Sequence, residues 1–163
     1  GAERTITIGG WSKGWATTGW RLGWITGSTE LMNGVKKSNV SGAPHDATFL
    51  MPAATVALGL DQEVRVMEDA FRERRGVAQE AFSSLPGIVV PEPEGAFYIL
   101  ADITGTGMTD MEFATEALEK AQVQVIPGSL MKGGEGLIRI GYATSVETIL
   151  EGVQRLRQWL ESR

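Results

Sequence analysis

The apolar positions of this chain follow two periods, and each period predicts its own kind of element. In "RTITIG" (4–9) β-branched residues alternate with their neighbours, which predicts a strand. "WRLGWITG" (20–27) predicts a second strand that stops at Gly27. The segment between them, 9–19, is too rich in glycine for a helix and is expected to be a loop. Residues 28–38 predict a short helix capped by Ser28 or Thr29, 40–49 a loop, and helix resumes after Pro52. The helical period is clearest next. Leu60, Val64, Met67, Phe71, Ala78, Phe82 and Leu85 recur at spacings of three, four and seven, with the charges of "EDAFRERR" mostly between them. With Asp61 as N-cap and "LPG" (85–87) as terminator, this predicts a helix of roughly 25 residues, about 37 Å long.

Strand and helix alternate over the remainder. "GIVV" (87–90) and "AFYIL" (96–100) read as strands joined by the turn "PEPEG". A helix over 109–122 opens on a T-x-x-E capping box, Thr109 and Glu112. Strands at 123–128 and 136–143 follow. Behind Ser145, a final helix carries Ile149, Val153, Leu156 and Leu160 on one stripe. The order β-β-α-β-β-α over 87–163 predicts an α+β unit with its helices on one face of a small sheet. Residues 1–59 offer only two strands, a loop and short helices with much aromatic surface. They are not expected to fold by themselves, and the chain reads as the back part of something longer.

Composition narrows the function classes. The 163 residues carry a net charge of −5, which argues against a general nucleic-acid surface. There is no cysteine, so disulfides, thiolate nucleophiles and cysteine-bound zinc are excluded. The single histidine, His45, cannot supply a histidine metal cluster and is expected in a loop; no metal site is expected. No apolar run is long enough to span a bilayer and no signal-peptide pattern opens the chain, so a cytoplasmic protein without membrane contact is expected.

The candidate chemistry lies in "GGWSKGWATTGWRLGWITG" (9–27), where four tryptophans and six glycines surround one lysine and one arginine. Lys13 sits between Gly10 and Gly14, where the backbone can turn tightly and let a ligand approach. Buried among Trp11 and Trp15, its amine would lose its charge and become the nucleophile that Schiff-base chemistry needs. The residues also allow a surface lysine whose stem packs on tryptophan. Arg21, at the start of the second strand, offers a planar fork suited to a phosphate, or an ordinary carboxylate pair. In "LIRIGYA" the alternation puts Ile138 and Ile140 on one face and Arg139 on the other, with Leu137 and Gly141. Arg139 therefore has room for a bound carboxylate, or makes an internal salt bridge.

Four ordered stretches resemble the class I aminotransferases of the aspartate aminotransferase type, enzymes of fold type I that use pyridoxal 5′-phosphate. "GGWSKGWATTGWRLGWITG" is similar to the family's S-K-x-x-x-x-T-G-W-R-[LI]-G segment, and "EGAFYIL" to its G-A-F-Y segment. "VQVIPGS" and "EGLIRIGYATS" are similar to V-x-V-x-P-G-S and G-x-[IV]-R-[IL]-S-[YF]-A. The resemblance runs from about residue 4 to the end. It implies the C-terminal part of the PLP-dependent transferase fold, an α/β architecture. Residues 1–59 would be a piece of the large cofactor domain, 60–86 a connecting helix and 87–163 the small domain.

It implies further that Lys13 binds the cofactor covalently and carries the catalytic proton, that Arg21 binds the cofactor phosphate and that Ser12 lies beside it. Arg139 would bind the substrate α-carboxylate and Phe97 would line the substrate pocket. Substrates would be an amino acid and a 2-oxo acid, and the enzyme a homodimer. Gly10 stands where some members place a hydroxyl, and Gly141 where many have serine. The family's upstream half supplies a phosphate loop, a ring-stacking aromatic, an aspartate on the ring nitrogen, and an asparagine and tyrosine on the ring oxygen. None of those motifs occurs here, so the chain alone is expected to be inactive. Lyase, decarboxylase or synthase chemistry on the same cofactor, and a non-catalytic folded fragment, are the alternatives.

Overall fold

The computed structural model describes residues 2–39 and 47–163, which form two compact units, Gly1–Val66 and Met67–Arg163. His45 and most of the loop expected at 40–49 lie outside the described residues.

The first unit opens with a 3-10 turn, Ala2–Arg4, and the strand β1, Thr7–Gly10. β1 pairs antiparallel with β2, Gly23–Thr26, in the register Thr7↔Thr26 to Gly10↔Gly23. Both strands are shorter than predicted because the ladder is only four pairs long. Gly9 faces Trp24 across it, and a Cβ at Gly9 would lie 2.3 Å from the indole, so the ring takes the glycine's place on that face. Its described part also holds three short helices, α1, Trp11–Gly14, α2, Thr29–Asn39, and α3, Met51–Ala57. Pro52 falls in the first turn of α3, where a missing N–H costs nothing.

The prediction that 9–19 contains no helix is corrected by α1. Its single turn survives its glycines because tertiary bonds hold it. The Trp11 indole donates to the Ala54 carbonyl at 3.2 Å and the Trp15 indole to the Ala57 carbonyl at 2.7 Å. Ala54, Ala57 and Leu22 are the buried apolar residues among the described residues of this unit. Packing has overridden propensity.

Helix α4, Asp61–Ser83, is the long helix that the period predicts, and the boundary between the units falls within it. In the second unit β3, Tyr98–Asp102, β5, Leu137–Gly141, and β4, Ile126–Pro127, form an antiparallel sheet in the order β3-β5-β4. The register runs from Tyr98↔Gly141 to Asp102↔Leu137, with Ile126↔Arg139 on the other side. The predicted strand 87–90 is reduced to one bridge, Val89↔Asp102. α5, Asp110–Ala121, and α6, Val146–Glu161, pack on the sheet face that carries Ile99, Ala101, Ile138 and Ile140. Phe113, Ala117, Val153, Leu156 and Trp159 fill the layer, with the Phe113 and Trp159 rings edge to face at 5.1 Å. The Thr109–Glu112 capping box forms as predicted, and Ser145 caps α6.

One carboxylate is buried among the described residues, that of Asp110 at the first position of α5. It accepts the Ser129 N–H at 2.7 Å and ties the helix start to the turn after β4. Hydrogen bonds from the Ser129 side chain and backbone hold its pKa below the ordinary value. A depressed folded-state pKa contributes stability above the unfolded carboxylate range, near 4, which is lost as pH falls through the folded value. Asp110→Ala is expected to cost about 2 kcal/mol at pH 7, the scale of a charged hydrogen bond, and less at pH 3. Denaturant unfolding at the two pH values checks this; an equal cost at both would contradict it.

Candidate functional site

Three of the predicted site residues, Ser12, Lys13 and Arg21, lie in the first unit; the other two, Phe97 and Arg139, lie in the second. The first group is built on the stretch 11–22. Lys13 sits on α1 between the two anchored tryptophans, whose rings tilt against each other at 5.9 Å. Its side chain is exposed, so Trp11 and Trp15 pack the turn beneath Lys13 rather than bury its amine. Of the two readings the residues allow, this part of the chain shows the surface lysine. Ser12 precedes it, half-buried. Gly14 leaves open space around it: a Cβ there meets nothing within 4 Å.

Arg21 does not begin the strand, as expected, but follows a 3-10 turn, Thr18–Trp20, and adopts the left-handed conformation with φ 56°. Such a backbone costs a residue bearing Cβ about 1 kcal/mol. Its neighbours impose it. Leu22 is buried and its carbonyl accepts the Trp11 N–H at 3.3 Å, so the chain re-enters the ladder at a fixed point. Strain of this kind collects where a side chain must be aimed. The Arg21 guanidinium donates to the Thr18 carbonyl at 3.1 Å and has no carboxylate partner among the described residues. Nearby in sequence, the Thr17 hydroxyl is buried without a hydrogen-bond partner. An amine, a guanidinium with no carboxylate partner among the described residues and a buried hydroxyl without a hydrogen-bond partner are a donor set that suits an anionic aldehyde cofactor such as pyridoxal phosphate.

In the second group Arg139 lies on the sheet face opposite the helices, while Phe97, just before β3, packs against the core. The alternation read from "LIRIGYA" holds: Ile138 and Ile140 are buried, and Arg139 is half-buried on the other face. No carboxylate pairs with Arg139 among the described residues, which removes the internal salt-bridge reading there. Its guanidinium instead lies over the Tyr98 ring, 4.6 Å from the centroid. Phe97 is half-buried, its ring 4.2 Å from Tyr98 and 6.3 Å from Phe71. The turn before it is stapled to β5. The Tyr142 hydroxyl donates to the carbonyl of Ala96, itself left-handed at φ 61°, at 2.7 Å, and the Tyr142 N–H donates to Phe97 at 3.1 Å. Burial raises the Tyr142 pKa above the ordinary tyrosine value, so the phenol keeps its proton and its role as donor.

Sequence reasoning missed Tyr98 as a partner of Arg139. The period of two places each on the outward face of its own strand. The register that makes them diagonal neighbours depends on which strands pair, and a single sequence does not state that. A surface groove of about 360 Å³ opens between residues 122–125, the end of β5 and α6, with Val125, Ile149 and Arg155 on its walls; none of the five candidates lines it.

Comparison with known proteins gives this geometry a context. Residues 1–156 match the family described as aminotransferase class I and II. An aspartate aminotransferase of Pyrococcus horikoshii is 37% identical over 163 residues, covering 98% of this chain and 42% of the relative. Aromatic-amino-acid aminotransferase 2 of Thermococcus litoralis is 34% identical, covering 99% of this chain and 42% of the relative. Among solved structures, the aromatic aminotransferase of Pyrococcus horikoshii superposes with a TM-score of 0.93 at 35% identity, over 99% of this chain and 44% of that one. The aspartate aminotransferase of Rhizobium meliloti does so with a TM-score of 0.91 at 30% identity, over 98% and 42%. The chain thus spans less than half the length of the relatives it matches. No helix among the described residues is long and apolar enough to cross a membrane.

Proposed function

This chain belongs to the class I and II aminotransferases, and on that premise we propose that it is the C-terminal portion of a pyridoxal-phosphate-dependent enzyme that moves an amino group between an α-amino acid and a 2-oxo acid. In this reading residues 1–59 complete a large cofactor domain, 60–86 connect, and 87–163 are the small domain. The observation that carries it is the build of residues 11–22, where a tryptophan-anchored helical turn carries the exposed Lys13 and a following 3-10 turn carries Arg21, which has no carboxylate partner among the described residues. The names of the relatives, aspartate and aromatic-amino-acid aminotransferases, support the same substrate class.

Lys13 and Arg21 would hold the cofactor, with Ser12 and the Thr17 hydroxyl beside it. Bound pyridoxal phosphate supplies an electron sink for the pair released at the substrate Cα. The chain's own residues do the rest. Arg21 clamps the phosphate by charge-assisted hydrogen bonds. The Nζ of Lys13 takes the proton from Cα and returns it. Arg139 grips the α-carboxylate with its planar fork, and Phe97 walls the substrate side. The exposed apolar side chains Ile8, Trp24 and Ile25 of the two-stranded ladder support burial against other parts of the protein, and the functional unit is taken as a homodimer.

Product analysis tests the reading. The complete gene product, loaded with pyridoxal phosphate and given aspartate or an aromatic amino acid with 2-oxoglutarate, is expected to yield glutamate and the matching 2-oxo acid. The 163-residue chain alone is expected to give no turnover above the free cofactor. Release of ammonia or carbon dioxide in place of glutamate would assign lyase or decarboxylase chemistry instead.

A further inference from the structure

We infer that Tyr98 is a positioning residue for Arg139, holding the guanidinium ready for a substrate carboxylate. The inference rests on the proposed role of Arg139. The two side chains share the outward face of the β3–β5 pair as diagonal neighbours, since Tyr98 pairs with Gly141 and Arg139 with Leu100. The guanidinium carbon lies 4.6 Å from the Tyr98 centroid, within the distance at which a cation is attracted to a ring face.

Tyr98 pairs with Gly141 across the ladder, and a Cβ at Gly141 would meet the ring's Cδ1 and Cε1 at 3.9 Å, an ordinary contact, so the ring lies close to this position without requiring a glycine there. The Phe97 ring centroid lies 4.2 Å from that of Tyr98, so the ring that carries Arg139 packs against a second aromatic side chain. The hydroxyl takes part in none of this: it has no hydrogen-bond partner among the described residues. An unstacked arginine loses rotamer freedom only when the ligand arrives and must bear that cost at binding. A stacked one has borne it beforehand, and its donors stay free for the carboxylate because stacking uses the face and not the N–H edge.

The test uses the complete gene product with bound pyridoxal phosphate and two readouts. The first is the equilibrium Kd of a non-reacting dicarboxylate such as maleate, by calorimetry; the second is KM against kcat. Tyr98→Leu is expected to raise both Kd and KM about threefold to tenfold with kcat within twofold of the parent. Tyr98→Phe, which keeps the ring, is expected to retain the parent values, and it controls for folding. Arg139→Leu, run alongside, is expected to raise Kd at least as much as Tyr98→Leu. If Arg139→Leu raises Kd and Tyr98→Leu does not, the positioning role is wrong and the carboxylate site stands. If Arg139→Leu leaves Kd unchanged, both fail. A fall in kcat with unchanged Kd in Tyr98→Leu also overturns the inference, since it would place Tyr98 in the chemistry.

Discussion

Replacing Lys13 by alanine in the cofactor-loaded complete protein is expected to abolish transamination, a fall on the order of a thousandfold or more. Two losses combine. The amine proposed to attach the cofactor would be gone, and so would the proposed base for the Cα proton, a loss that by itself accounts for about a hundredfold to ten-thousandfold. The turn itself should survive, because Trp11 and Trp15 anchor it through Ala54 and Ala57 and Lys13 is exposed. Arg21→Ala should behave differently. Its guanidinium is assigned to the phosphate and not to the reacting atoms. Cofactor affinity is therefore expected to weaken by about 1.5–3 kcal/mol, with covalent attachment retained at saturating cofactor. Absorbance of the bound cofactor and dialysis equilibrium separate the two variants. Unchanged binding and turnover in both would falsify the assignment and leave residues 9–27 as a packed loop.

What the chain discloses about itself depends on the range of the interaction. Local signals were legible. The capping box of Thr109 and Glu112, the Ser145 cap, the stripe of α6 and the outward face of Arg139 all follow from neighbours within a few residues. The order of elements from Tyr98 onward follows as well, since periods of 2 and 3.6 alternate there, while the strand expected at 87–90 is only a bridge. Features set by distant partners were not legible. The helical turn at Trp11–Gly14 exists because indoles reach carbonyls more than forty residues away. Arg21 leaves the strand because Leu22 is pinned to Trp11. No local pattern marks Asp110 as buried, and only the fold brings Ser129 to it. For the site, residue types were readable and their support was not. The alternation gave Arg139 its face, but only the register gave it Tyr98.

Gly128→Ala is expected to be the most destabilising small substitution in the second unit, at about 3 kcal/mol or more. The turn Gly128–Leu130 leaves β4 and is followed by a relay of tight bonds. Met131 N–H donates to Gly128 at 2.7 Å, Gly134 N–H to Met131 at 3.1 Å, and Leu137 N–H to Gly134 at 3.0 Å. The relay folds the chain back on itself. A Cβ at Gly128 would lie 2.0 Å from the Gly134 oxygen and 2.6 Å from the Leu137 oxygen. Both are backbone atoms, so no side chain can swing away, and overpacking of that kind typically costs 1–3 kcal/mol even where the surroundings yield. Relief would have to displace Leu137, the first residue of β5, two positions before Arg139. The variant should therefore lower the denaturant midpoint and also weaken carboxylate binding. Gly152→Ala, in the middle of α6 where a Cβ meets nothing within 4 Å, is the contrast. It should stabilise by about 0.5–1 kcal/mol through helix propensity alone and leave binding untouched. Similar midpoints for the two variants would mean that the approach of Gly128 to Gly134 is not what fixes the start of β5.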